Sequence, residues 1–180
     1  MNDFRNQSLR VLVIIPGEES GSSFIFAKRQ VESIKAKGID IRSFYFSSRT
    51  NPLLIIREVS RFRKMIKVFQ PQVIHAQYGT VTALIPALFS SVPLVITLQG
   101  SDINYTPADG FVRDLFGRLF TQFSCLKAKK IICVSRKLKE KLWSKWNDTN
   151  EKKCFDRICN HWFDGFTFIF CFTESLKQNR

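Results

Sequence analysis

The 180-residue chain lacks most of the short motifs that announce a chemistry outright. Its five cysteines, Cys125, Cys133, Cys154, Cys159 and Cys171, are odd in number and include no C-x-x-C pair. That pattern argues against a disulfide framework and for a reducing compartment. Cys154, Cys159 and His161, with Cys171 as the only further ligand, match no usual zinc spacing, so no metal site is expected. Neither G-x-G-x-x-G nor a P-loop sequence is present, which removes the two common nucleotide-phosphate motifs. No apolar run approaches the ~20 residues of a membrane helix. The run before Pro16 is also short and is followed by no small-residue cleavage site, so the N-terminus reads as a first strand and not as a signal peptide.

What is abundant is positive charge. Lys and Arg number 28 against 15 Asp and Glu, a net charge of +13. Such a balance favours an anionic partner: nucleic acid, an anionic membrane surface or a phosphorylated substrate. No reading helix, base-stacking motif or finger accompanies it, so nucleic acid is not an expected partner. A hydrophobic share of 44% with 24% charged residues belongs to a globular chain, and 180 residues hold one domain with a full core.

The organising stretch is Leu94–Asp102, LVITLQGSD. An unbroken apolar run with β-branched residues between Pro93 and Gly100 reads as a strand buried on both faces, the kind found inside parallel sheets. In open α/β sheets ligands bind beyond the carboxyl ends of the strands, where Gln99, Gly100, Ser101 and Asp102 fall. A plain turn is the other reading of that tetrapeptide.

Arg10–Ile15 has the same buried-strand pattern. A small-residue loop follows, then an amphipathic helix from about Phe24 to Lys37 ended by Gly38. Gly17 and Gly21, with free N–H groups at a helix start capped by Ser22 or Ser23, offer a place for a phosphate or carboxylate. Glu18 and Glu19 count against a tightly bound anion, and a connecting loop is the alternative. Ile39, Ile41, Phe44 and Phe46 give a second strand. Leu53–Phe69 places Ile55, Val59, Phe62, Ile66 and Phe69 on one helix face. Arg57, Arg61, Arg63, Lys64 and Lys67 form the other, which is either an ordinary solvated surface or one that docks on anionic lipid.

Val73 and Ile74 start a third strand ending at His75, and Thr82–Phe89 is a short apolar helix. After the fourth strand, 104–110 is a loop long enough to cover a cleft. Phe111–Lys127 reads as a helix with Val112, Phe116, Leu119, Phe123 and Leu126 on its buried face. Ile131–Val134 is a fifth strand, and Ser135 caps a helix through Leu138, Leu142 and Trp146. Strands with continuous apolar runs alternating with helices specify an α/β fold, a Rossmann-like doubly wound parallel sheet.

A set of landmarks in order gives more. RVLVIIPG, the Phe-x-x-x-Gln helix with Lys37-Gly38-Ile39 behind it, PQVIHAQYG, PLVITLQGSD and AKKIICVSRKLKEKL together resemble the N-terminal domain of a family 4 glycosyltransferase, one half of the GT-B architecture. The resemblance covers about residues 9–145. It implies a domain that binds the acceptor and closes half of a cleft. Gly17, Gly21 and Ser22 would then approach the donor phosphates or the acceptor. His75, Gln99, Gly100, Asp102 and Ser135 would line the cleft at the carboxyl ends of strands three, four and five. Taken alone, a histidine at a strand end is more often a hydrogen-bonded core or rim residue.

Family members commonly carry a histidine where Gln99 stands and a second glycine where Ser22 stands. Gln99 cannot change charge, so an acid–base role does not carry over, though it can hydrogen-bond a sugar hydroxyl. In retaining transfer of this type the donor phosphate takes the acceptor proton, so no catalytic base is assigned. No cofactor is implied.

The resemblance places the nucleotide-sugar site on a second Rossmann-like domain with a Glu-x7-Glu pair, and no two glutamates here have that spacing. Residues 1–146 are expected to be the glycosyltransferase-like domain. Residues 147–180 form an atypical apolar tail, with the run Phe166–Phe172, whose composition suggests a frameshift or premature stop. The implied function is half of a retaining transferase in cell-surface polysaccharide synthesis, taking a glycan or lipid-linked acceptor. Its place would be cytoplasmic, peripheral on the inner membrane face through Arg57, Arg61, Lys64 and Lys67. Nucleotide sugar would bind only with the second domain, and the chain alone would be inactive. The alternative is a non-catalytic subunit or binding module that partners a separate donor-binding chain.

Overall fold

The computed structural model describes residues 9–47, 51–104, 111–147 and 158–159. The elements run β1 (Arg10–Pro16), α1 (Ile25–Lys35), β2 (Asp40–Phe46), α2 (Pro52–Phe69), β3 (Val73–Ala76), α3 (Thr80–Phe89), β4 (Leu94–Leu98), α4 (Phe111–Lys127), β5 (Lys130–Cys133), α5 (Arg136–Asn147) and β6 (Ile158–Cys159). All strands are parallel in the order β2-β1-β3-β4-β5-β6. The order reverses between β1 and β3, which makes their carboxyl ends the topological switch point of the sheet.

Side-chain parity sorts the strands onto two faces. Val11, Val13 and Ile15 pack with Ala27, Val31 and Ile34 of α1. Leu12 and Ile14 face the other side, where Phe62 and Phe69 of α2, Ala83 and Ile85 of α3, and Leu138 and Leu142 of α5 close the larger core. Ile41 belongs to the first face and Phe44 and Phe46 to the second, so β2 carries apolar residues of both parities. Leu94–Leu98 are buried throughout, as a continuous apolar run demands. Burying each such side chain contributes about 1.5–3 kcal/mol.

Two helix starts differ in how they are made. Asn51 caps α2, its Oδ1 accepting from the N–H groups of Leu53 and Leu54 at 3.0 and 3.4 Å. The α1 start has no side-chain cap, so neither Ser22 nor Ser23 plays the expected part. Phe24 occupies that position instead, in the left-handed conformation at φ 55°. Gly38, at φ 80°, follows α1 as expected.

The largest departure from the sequence pattern is the orientation of α4. Its bounds are as expected, but Phe116 and Leu119 are 52% and 48% exposed. The buried side is made of Asp114, Thr121, Ser124 and Cys125. The physical reason is close approach to α3. A Cβ on Gly117 would stand 3.5 Å from Thr80 Cγ2, and the Thr121 and Ser124 hydroxyls satisfy themselves on the carbonyls of Gly117 and Phe120 at 2.9 and 2.6 Å. Small side chains with internal hydrogen bonds fit that seam, so the large apolar stripe turns outward. The side chains of Val112 and Trp146 lie outside the described residues, as do 105–110 of the proposed cleft loop.

The sheet gains a short sixth strand where the sequence showed no strand pattern, Ile158 and Cys159 pairing with Ile131 and Ile132. The rest of the tail, with Cys154, His161, Cys171 and the Phe166–Phe172 run, lies outside the described residues. Among the described residues no helix is long and apolar enough to cross a membrane.

Candidate functional site

Because every strand is parallel, the loops after β1, β3, β4 and β5 gather at one edge of the sheet. Three of them are tied together by side chains. Phe24, after β1, meets the Tyr78 ring edge-on at 5.7 Å across the switch point, and Tyr78 Oη shares a 2.6 Å hydrogen bond with Ser101 Oγ after β4.

Asp102 fixes the β4 loop from below. Its carboxylate is 2% exposed and accepts the backbone N–H groups of Gly79 (3.0 Å), Gln99 (3.2 Å) and Gly100 (2.8 Å). Burial outweighs these donors and pushes its carboxyl above the usual carboxylate range. Gly100 turns the chain at φ 112°, a conformation that favours glycine. Beside Asp102, the Cys133 thiol is pushed up to about 12, first by burial and then by the Asp102 charge, which leaves it protonated and unreactive.

His75 has no exposed surface. Its Nε2 lies 2.8 Å from Thr97 Oγ1, and the Gln77 amide reaches its Nδ1 in a longer 3.4 Å contact. The amide donor assigns the proton to Nε2, which donates to Thr97. Burial lowers the pKa of His75 to about 3, so the ring is neutral at physiological pH. Gln77 also donates to Gln30 Oε1 of α1 at 2.7 Å, extending a polar chain from α1 through β3 to β4. Two amide atoms at this edge have no hydrogen-bond partner: Gln77 Oε1, an acceptor, and Gln99 Nε2, a donor.

The first loop is organised from within. Lys28 Nζ donates to the carbonyls of Glu18 (2.9 Å), Glu19 (2.8 Å) and Gly21. These three carbonyls gather round one ammonium, which ties the loop to α1. Gly17, at φ 98°, donates to the Phe46 carbonyl at 3.0 Å, while Ser22 is exposed. Ser135 caps α5 as expected, accepting from the Leu138 N–H at 3.2 Å.

The structure thus brings Gly17, Gly21, Ser22, Gln99, Gly100 and Ser135 to one edge and sets His75 and Asp102 beneath it. Lys28 was not singled out by sequence, and Gln30, Gln77 and Tyr78 entered only as parts of the Phe-x-x-x-Gln and PQVIHAQYG landmarks, with no site role. The available signal for Gln77 was parity: two residues after His75 on a strand, it shares His75's face. For Lys28 there was none, because its partners are backbone carbonyls.

A parallel sheet with a switch point and this rim is a Rossmann-like domain of the GT-B type. The model of Glycosyltransferase Family 4 matches residues 4–153, and the chain belongs to that family. No curated protein matches the sequence. Among solved structures, a UDP-GlcNAc 2-epimerase from Neisseria meningitidis bound to UDP-GlcNAc is 12% identical with a TM-score of 0.59, over 94% of this chain and 50% of that one. A UDP-GlcNAc 2-epimerase from Methanocaldococcus jannaschii is 11% identical with a TM-score of 0.58, over 84% and 45%. A glycosyltransferase from Rickettsia africae is 16% identical with a TM-score of 0.52, over 84% and 42%. At these identities the likeness shows the fold alone, and the chain spans half or less of the length of these structures.

Proposed function

We propose that the chain is the acceptor-side half of a retaining glycosyltransferase in cell-surface polysaccharide synthesis, with a glycan or lipid-linked sugar as acceptor. The observation that carries the acceptor assignment is the pair of buried amide atoms without partners. A sugar hydroxyl both donates and accepts, so the hydroxyls of a sugar can supply the donor that Gln77 Oε1 lacks and the acceptor that Gln99 Nε2 lacks. Gly17, Gly21, Ser22, Gly100 and Ser135 complete the rim, and His75 and Asp102 hold its floor. A neutral His75 and a non-titrating Gln99 supply no general base, which suits a transfer in which the departing diphosphate takes the proton.

The nucleotide-sugar donor is assigned to a second domain, because Lys28, the cation at the first loop, is committed to three carbonyls. The domain works beside a membrane, with Arg57, Arg61, Lys64 and Lys67 toward an anionic surface. The test is complementation. The chain alone should release no nucleoside diphosphate from a panel of nucleotide sugars, and joining it to a family 4 donor domain should produce transfer that Gln99→Ala reduces. Turnover by the chain alone, or a joined enzyme indifferent to Gln99→Ala, overturns the reading.

A further inference from the structure

We propose that Gln77 selects the acceptor sugar: its Oε1, held in one orientation by Gln30 and His75, takes a hydrogen bond from a sugar hydroxyl and rejects any group there that cannot donate. The inference rests on the acceptor reading above and narrows it to a donor requirement at one atom.

The first observation is how the amide is held. Gln77 stands one residue past β3 and is 1% exposed, its backbone N–H donating to the Ile14 carbonyl of β1 at 2.9 Å. A primary amide has two N–H donors and one carbonyl oxygen. Gln77 Nε2 gives one N–H to Gln30 Oε1 at 2.7 Å and directs the other at His75 Nδ1 at 3.4 Å. The His75 ring accepts at Nδ1 because burial keeps it neutral and its N–H is given to Thr97 Oγ1 at 2.8 Å. With both donors engaged, Oε1 is the polar atom left over, and it has no partner among the described residues. A half-turn of the amide would set Oε1 against two acceptors, Gln30 Oε1 and His75 Nδ1, so its neighbours fix which way it faces. Gln30, which acts through Gln77, is a positioning residue.

The second observation is the polarity of what is left unmatched. A buried acceptor without a donor carries a desolvation cost, which a sugar hydroxyl removes and a carboxylate or ether oxygen leaves in place. Gln99 Nε2, past the end of the neighbouring strand β4, is the converse, a donor without an acceptor. An anionic group satisfies Gln99 alone, whereas a neutral sugar carries groups for both. The net charge of +13 draws anions at long range, but salt screens that pull over about 8–10 Å and it supplies no proton at Oε1.

The 180-residue chain is titrated by NMR with the methyl glycosides of glucose, galactose, mannose and N-acetylglucosamine. The tightest binder is then tested with each hydroxyl in turn replaced by hydrogen or by fluorine. Fluorine accepts weakly and cannot donate, so it separates a demanded donor from a demanded acceptor. At one position both replacements should weaken binding about ten-fold, and in Gln77→Leu neither should cost more than the substitution already does. Gln30→Ala frees the amide to turn an N–H toward the sugar, so the fluorine penalty should fall several-fold. Gln30→Glu keeps an acceptor for Nε2 and should restore it. Thermal melting checks that each variant is folded, and the comparison of fluorine with hydrogen in the parent needs no variant.

Fluorine tolerated at every position, or glycosides that bind with no hydroxyl coupled to Gln77, overturns the inference and leaves the acceptor reading standing. Binding of no glycoside overturns both. A fluorine penalty that survives Gln30→Ala unchanged overturns the positioning role of Gln30.

Discussion

Asp102 Oδ2 accepts the backbone N–H of Gly79 at 3.0 Å, joining the loop after β4 to the start of α3 across 23 positions of sequence. The same carboxylate holds Gln99 and Gly100, so one side chain sets the shape of the loop that carries the Gln99 amide. Asp102→Ala leaves one buried donor, the Gly79 N–H, and two half-buried ones without their acceptor and should cost about 2–4 kcal/mol of stability. Asp102→Asn retains part of the acceptor capacity and should cost less. Urea unfolding checks both, and a loss below about 0.5 kcal/mol for the alanine variant contradicts the brace.

Gly79 is constrained by what stands against it. A Cβ there would lie 2.6 Å from Thr121 Oγ1, 2.8 Å from Thr121 Cγ2 and 3.1 Å from Asp102 Cβ. Gly79→Ala should therefore destabilise by about 1–3 kcal/mol through overpacking. The same change in a Thr121→Ala background should cost less, because the obstructing atoms are gone. Equal costs in the two backgrounds, measured as a double-mutant cycle, contradict this contact.

His75 gives a pH dependence whose sign is fixed. Its folded pKa is about 3, below the ordinary value of 6.5, so between those values the unfolded chain binds the proton and the folded chain does not. The stabilisation is complete above pH 6.5 and declines as pH falls, by at most about 1.4 kcal/mol per pH unit from this group. His75→Gln should remove that part of the slope. Unfolding measured at several pH values between about 4 and 8 checks it, and identical slopes in parent and variant contradict the buried neutral ring.

Lys28→Met removes the ammonium that gathers the carbonyls of Glu18, Glu19 and Gly21. The expected effect is local: faster amide exchange and proteolysis within Glu18–Ser23, with global stability changed by less than about 1 kcal/mol. Unchanged exchange in that loop contradicts the role given to Lys28.

The sheet was legible because buried parallel strands write themselves as unbroken apolar runs, and Leu94–Leu98 is the plainest case. The α4 bounds were legible too, but its facing was not. Apolar periodicity assumes that the large residues go inward, whereas Gly79, Thr80 and Gly117 permit a seam so close that small polar side chains fill it. At the candidate site, the strand pattern put Gln99, Gly100 and Ser135 just beyond the carboxyl ends of β4 and β5, which is where those strands end. The N–H groups bound by Asp102 and the carbonyls bound by Lys28 were invisible, since backbone partners leave no mark on sequence.

The most direct test follows the side-chain amides of Gln77 and Gln99 by NMR while acceptor-type glycans and nucleotide sugars are added separately to the chain. The account predicts that a glycan shifts both amide signals and that nucleotide sugars shift neither. Shifts produced by nucleotide sugars, or no shift from any glycan tested, would contradict an acceptor site at this edge.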